Sequence, residues 1–444
     1  MTSRTVVREF MDKAPISRMH ILFVAICGSL IAVDGFDTAV VGFVAPSIRQ
    51  EWAMPPSALA PLFSAGLFGL LLGALIMGPV ADRFGRKVVM VACTFMFSAA
   101  SFAAATSPDF HTLVLMRFLT GLGIGGAFPN AITLASEFLP TRRRSVFVMI
   151  AASGFTIGSA VAGFVTAGLV AAAGWRGVMV VSGVAPLIVG LAAMAFLPES
   201  PQYLSIRGKD ARLRKVLAKI APLPAEPTEF VADEKPAKAP MIDLFKDGRA
   251  PVTLLVWLAF FCSQLVIYLL TNWLPTLLSD AGATARNAAL VTSGFMFGGT
   301  IGGIWLGFRM DGRNGFAVVS VAYLIGAGAI VCLGLGGGSL WIMALAVFVS
   351  GTFVSGSQTG INILTAQFYP GAIRATGVAW ATSLGRLGAI SGSLLGGVLV
   401  GLQMGYPPLF GIVGAICVIS AVSLGFLARR VGRANAAAQA VPAE

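Results

Sequence analysis

The chain has 444 residues, 57% of them hydrophobic and only 11% charged, with net charge +12 and mean hydropathy +0.85. A soluble domain carries about 25% charged residues, so this composition excludes an ordinary globular enzyme and fits a polytopic helical membrane protein. The basic excess does not require a nucleic-acid partner, because its placement along the chain explains it.

Residues 1–19 are polar and mixed in charge, and the first apolar run is long enough to span rather than to be cut, so no cleavable leader is expected. Twelve apolar runs follow, at about 20–46, 58–80, 88–106, 111–136, 145–173, 177–197, 251–276, 287–309, 316–335, 340–366, 375–402 and 407–428, each long enough to cross a bilayer as a helix. The polar insert 198–250, with Pro222, Pro224, Pro227, Pro236 and Pro240, parts them six and six. Within it Asp210–Ile220 is predicted as a short surface helix, and the remainder reads as linker. The expected organisation is a cytoplasmic segment 1–19, a six-helix half 20–197, a central loop 198–250, a second half 251–428 and a tail 429–444.

Orientation follows from lysine and arginine. With the amino terminus inside, 26 of the 31 fall on the inner side, ten of them in 207–249; only Arg49, Arg176 and Arg286 face out. That asymmetry is a strong positive-inside signal, and it places both termini and the central loop in the cytoplasm. The five cysteines all fall in apolar runs without metal-pair spacing, so neither a disulfide framework nor a structural metal is expected.

Removing the loops leaves few charges within the membrane. Asp34 and Asp37 lie inside the apolar stretch Ile21 to Ala45. Each carboxylate costs roughly 2.5–3.5 kcal/mol to insert on the mildest scale, so the pair marks a working site. Three residues apart, they share one helical face. Glu137 stands at the cytoplasmic end of the fourth span, and the intramembrane cations are Arg117 and Arg386. Buried charges of both signs should be paired, hydrated or coupled to protonation. Arg117 can fork onto an aspartate as a structural pair or onto an anionic solute. Arg386 has small neighbours, Gly385, Gly388, Ala389 and Ser391, which suit a solute or close helix packing. With the acids in the first half and Arg386 in the second, the set suits a site shared by two halves. Gln264, Tyr268, Asn272, Gln358 and Asn362 are further candidates to line a cavity, while Trp273 suits the interfacial belt.

Two loops repeat at equivalent places. Gly78-Pro-Val-Ala-Asp82-Arg83-Phe-Gly85-Arg86-Lys87 joins spans 2 and 3, and Gly307-Phe-Arg-Met-Asp311-Gly312-Arg313 joins spans 8 and 9. Such duplication is expected of transporters built from two repeats. An acid at a helix end facing arginines can act as a latch between conformations, or the charges can simply fix topology.

With these motifs, with Arg117-Phe-Leu-Thr-Gly121-Leu-Gly-Ile-Gly125, Pro140-Thr-Arg142-Arg143-Arg144 and Pro198-Glu199-Ser200-Pro201, the chain resembles the major facilitator superfamily over nearly its whole length. Asp34-Gly35-Phe36-Asp37-Thr38, with Gly42-Phe-Val-Ala45-Pro46, is similar to the first-span signature of the aromatic acid:proton symporters. That resemblance implies import of a hydroxybenzoate-like carboxylate by proton symport through alternating access. The functional positions it implies here are Asp34, Asp37 and Glu137 for proton coupling, Arg117 and Arg386 for the substrate, and Asp82 and Asp311 for the latch. The expected coupling ion is the proton, with no cofactor or metal; the expected partners are the aromatic acid, protons and the lipid of a bacterial inner membrane, with no nucleic acid and a monomeric state. Two rivals are proton-driven efflux and a non-transporting membrane sensor; enzymatic activity finds no nucleophile–base or metal constellation.

Overall fold

Inside a bilayer no water takes up backbone N–H and C=O groups, so long apolar runs become helices. A computed structural model describes residues 3–223, 228–232, 240–310, 314–335 and 339–439. Eleven helical elements among the described residues are long and apolar enough to cross a membrane. One of them, Thr141–Phe196, is two helices joined at Gly174, whose φ of 63° breaks the helical path. Glycine occupies that left-handed conformation without steric cost. The observed crossings are therefore twelve: α1 Arg18–Glu51, α2 Ala60–Phe84, α3 Arg86–Ala105, α4 Phe110–Phe138, α5 and α6 as the arms 141–173 and 175–196, α7 Ala250–Asp280, α8 Ala285–Met310, α9 Gly315–Leu335, α10 Leu340–Phe368, α11 Gly371–Gly401 and α12 Tyr406–Gln439.

Several helices overrun the spans expected from sequence. At about 1.5 Å per residue, the 34 residues of α1 reach roughly 50 Å, well beyond a core of about 30 Å. The helix also runs through Pro46, where the sequence had suggested its end. Helix α4 starts on a side-chain cap: Asp109 accepts from the Thr112 N–H and hydroxyl, both at 2.9 Å. Those two bonds hold its carboxyl below the usual carboxylate range.

The chain forms two compact units. One comprises Met1–Val40, Ala65–Ser159 and Ala173–Lys235. The central insert within it differs from the linker expected of most of its length. Strand β1 (Ser3–Val6) pairs in parallel with β2 (Thr228–Val231), and short helices cover Val7–Lys13, Pro201–Ile206 and Asp210–Ala218. Met11, Phe23, Phe138, Leu204, Leu213, Leu217 and Phe230 share one buried cluster. The amino-terminal segment and the first part of the insert are thus folded together at one end of this unit. Asp12 accepts from the Thr141 N–H at 2.7 Å, and Arg8 donates to the Thr141 hydroxyl at 2.7 Å and the Ser136 carbonyl at 3.3 Å.

The second unit comprises Val41–Ser64, Ala160–Ala172 and Pro236–Glu444. The outer ends of α1, α2 and α5 therefore pack with the last six helices. Gly42 sits where a Cβ would press on the Thr271 and Asn272 backbone, and Arg49 pairs with Asp280 at 2.7 Å. Trp273 is fully buried, against the interfacial place the sequence suggested: it meets Phe63 edge to face at 5.0 Å and donates to the Ser393 carbonyl at 2.9 Å. Its indole N–H thus finds a partner inside the protein rather than at the lipid headgroups.

Candidate functional site

Helix α1 carries the two aspartates into the interior because glycine lets it approach α5 closely. A side chain at Gly35 would overlap the Phe155 carbonyl, and the Ser159 hydroxyl donates to the Gly35 carbonyl at 2.9 Å. Helix α4 closes on α2 in the same manner, with Gly121 against the Gly66 backbone. These contacts bring Arg117, about two turns into α4, face to face with Asp37. Arg117 Nη1 donates to Asp37 Oδ1 at 2.8 Å and Nη2 to Oδ2 at 2.5 Å, a bidentate fork, while Nη2 also reaches the Asp37 carbonyl at 3.4 Å. The Asp37 side chain is 0% exposed and that of Arg117 4%. Arg117 Nε is also buried and has no hydrogen-bond partner among the described residues.

A third side chain completes this site. Ser182 on α6, fully buried, donates its hydroxyl to Asp37 Oδ1 at 2.6 Å. Sequence reasoning missed it, because one serine in an apolar run carries no signal of its own. Asp34, 5% exposed, accepts from the Thr38 hydroxyl one turn along α1 at 3.3 Å. The two acids thus differ in surroundings although they share a face.

The residues of the loop between α2 and α3 gather elsewhere. Glu137, at the end of α4, accepts from Arg86 Nη1 and from the Ser200 hydroxyl. Ser200 in turn caps the helix Pro201–Ile206 by accepting from the Tyr203 N–H at 3.0 Å. Glu199 accepts from the Lys87 N–H at 2.9 Å. Gly85 turns the chain with φ 109°, and any side chain there would collide with the Glu199 carboxylate. Asp82 lies 3.9 Å from Arg86, a looser approach than that of Glu137. The Arg83 carbonyl accepts from the Tyr203 hydroxyl at 3.2 Å and Arg207 at 3.0 Å, and its guanidinium lies over the Phe84 ring. Gly78 has open space beside it. Two motifs separated by more than a hundred residues thus form one clamp. Asp311 and Arg313, expected to form the second latch, lie outside the described residues.

The second-half candidates divide. Asn272 donates to the Ser393 hydroxyl at 2.8 Å and is absorbed in an α7–α11 bond. Gln358 ends a buried relay: the Ser263 hydroxyl lies 2.6 Å from both the Tyr323 hydroxyl and Gln358 Oε1. Gln358 Nε2 then points to Asn362 Oδ1 at 3.4 Å. A π turn at Gly351–Ser355 in α10 directly precedes this segment. Ser263 and Tyr323 were not among the residues expected from sequence. Gln264 and Tyr268 are half-buried on α7, and Arg386 is half-buried on α11. Its small neighbours serve close packing, since a side chain at Gly388 would overlap the Phe261 carbonyl.

The Major Facilitator Superfamily model matches residues 27–336 and 256–443. The gallate transporter of Pseudomonas putida is 39% identical over 421 residues, covering 94% of each chain. The 4-hydroxybenzoate transporter PcaK of the same organism is also 39% identical, over 89% of this chain and 90% of its own. The benzoate transport protein of Acinetobacter baylyi is 32% identical over 90% of this chain and 87% of its own. In fold, the chain is similar to the D-xylose-proton symporter, with a TM-score of 0.70 at 18% identity over 91% of this chain and 96% of that one. Twelve crossings, duplicated loop motifs and these relatives lead to one conclusion: the chain belongs to the Major Facilitator Superfamily, in the branch that holds these aromatic-acid transporters.

Proposed function

We propose that this protein imports an aromatic carboxylate of the hydroxybenzoate class across a bacterial inner membrane by proton symport, its two six-helix halves alternating access. The observation that carries the reading is the buried fork between Arg117 and Asp37. An ionised carboxylate held by a guanidinium at zero exposure is stable only while both charges remain. A proton on Asp37 removes one of them and frees the fork for another planar carboxylate, which Arg117 can grip in the same bidentate way. The unpartnered Nε of Arg117 offers one more donor for that purpose. Loading of the proton and of the acid are then linked by competition for one cation.

Charge arithmetic favours such coupling. Moving an anion inward against an inside-negative potential costs about 2.3 kcal/mol per 100 mV, and one accompanying proton cancels the term. Asp37 is assigned as the carrier and Asp34 as its neighbour in the proton path. Arg386, Gln264, Tyr268, Gln358 and Asn362 are assigned to the substrate, with Asn272 supporting α11. Glu137, with Gly78, Asp82, Arg83, Gly85 and Arg86, is assigned to the cytoplasmic latch, since its carboxylate is already engaged by Arg86 and Ser200; Asp311 and Arg313 are assigned the matching role in the second half. The protein works as a monomer without a cofactor beyond the proton.

The test is uptake of labelled benzoate, 4-hydroxybenzoate and gallate into proteoliposomes with an imposed pH gradient. Accumulation above equilibrium is expected for at least one acid with the parent, and none with Asp37→Asn. Flux that ignores the gradient in both proteins overturns the reading.

A further inference from the structure

Resting on the proposed proton role of Asp37, we infer that Ser182 is a positioning residue for the coupling carboxylate, fixing its rotamer and favouring its charged state. Most buried hydroxyls of these helices bond back to their own backbone. Thr120, one turn past Arg117, donates to the Met116 carbonyl, as Thr94 does to Met90 and Thr166 to Ala162. Ser182 instead sends its single proton across to Asp37 Oδ1. The helix that carries it is held to α3 beside the same residue. The Ser98 hydroxyl donates to the Gly183 carbonyl at 2.7 Å, and a side chain at Gly183 would press on the Phe102 ring. The donor is thus anchored by three bodies: α1 through Asp37, α3 through Gly183 and α6 itself.

The geometry assigns different duties to the two oxygens. Among the described residues Oδ2 receives Arg117 alone, whereas Oδ1 receives both Arg117 and Ser182. A hydroxyl that donates stabilises the ionised carboxylate. Once a proton arrives, the same hydroxyl can rotate and accept it, because a serine oxygen has free lone pairs. Ser182 therefore stays bonded to Asp37 in both states but more strongly in the charged one, because a hydrogen bond to an ionised acceptor is the stronger, while Arg117 pairs only with the charged one. Away from the helix ends, the first six helices carry few titratable groups: Cys27 and Asp34 on α1 with Asp37 itself, Cys93 on α3 and Arg117 on α4, and none on α2, α5 or α6.

The consequence is read directly as a titration. With ¹³C-labelled aspartate in nanodiscs, the carboxyl resonance that Asp37→Asn abolishes is followed against pH in the parent, Ser182→Ala and Ser182→Thr. Loss of one donor to the charged form is expected to raise the midpoint by about one pH unit, and Ser182→Thr is expected to restore it. The pH of half-maximal uptake, measured with whichever of the three labelled acids the parent accumulates, should move the same way. A midpoint equal in parent and Ser182→Ala, or a resonance that fails to titrate in either, overturns the inference. The titration needs no substrate, so failure of aromatic-acid uptake is distinguishable from failure of this assignment. A merely structural role would lower the yield of Ser182→Ala without displacing the midpoint.

Discussion

Asp37 and Arg117 are worth more as a pair than apart. Removing one partner of a buried ion pair leaves the other uncompensated, at about 3–5 kcal/mol. Asp37→Asn and Arg117→Gln should each lower thermal stability by an amount of that order, and the double variant should recover a good part of it; additive losses in a double-mutant cycle would contradict the pairing. In the second half, Gln358 is held by Ser263 and Tyr323 so that its amide nitrogen is left for a ligand or for Asn362. Gln358→Leu should raise the KM of hydroxylated benzoates several-fold more than that of benzoate; equal changes would remove Gln358 from ring recognition. Both aspartates and both arginines were legible in the sequence because charge in an apolar run is conspicuous. The partners Ser182, Ser263 and Tyr323 were not, since a hydroxyl inside a helix ordinarily satisfies itself on its own backbone. Only the meeting of α1 with α6, or of α7 with α9 and α10, gives these residues a role.

Helix positions were legible to within a few residues, because length and apolarity decide them. Their ends were less so. α1 passes through Pro46, whereas the break at Gly174, which parts one 56-residue element into two crossings, falls where the sequence had ended one span and begun the next. Helix contacts obey a rule the sequence hints at through its 53 glycines: small residues let backbones touch where no hydrophobic force drives helices together. Gly121→Ala, whose new methyl would overlap the Gly66 carbonyl, should destabilise by about 1–3 kcal/mol, read as a lower melting temperature in detergent. Gly168→Ala, with nothing within reach, should change stability by less than about 0.5 kcal/mol. Equal effects at the two sites would refute the packing account. The central insert was the misread element. Its strand Thr228–Val231 is four residues long, and its partner stands at the other end of the half, so no local pattern announces it.

Across the whole molecule, the outer ends of α1, α2 and α5 fold with the last six helices, and Arg49–Asp280 ties the tips of α1 and α7. Both side chains are about a quarter exposed, so the pair contributes little by itself, about 0.2–1 kcal/mol. Arg49→Glu should therefore raise the labelling rate of a Phe63→Cys probe by a membrane-impermeant maleimide by about twofold to fivefold, and the swap Arg49→Glu/Asp280→Arg should bring it back. An unchanged rate would show that the apolar seal around Trp273 suffices alone. In the first unit, deleting residues 1–14 should strip the cover from Phe230 and Leu213 and speed limited proteolysis within the insert.

That cover also sets an order of events during synthesis. Ser3 leaves the ribosome more than two hundred residues before Thr228, its partner in the parallel strand pair. At about 5–20 residues per second, the amino end must wait on the order of ten seconds or more, while six helices enter the bilayer between the two strands. Its docking can occur only after the first half of the protein has been threaded through the membrane. The strand pair is in that sense a seal set on finished work, and a nascent chain with a misplaced helix would have the two strands on opposite sides of the lipid, unable to meet.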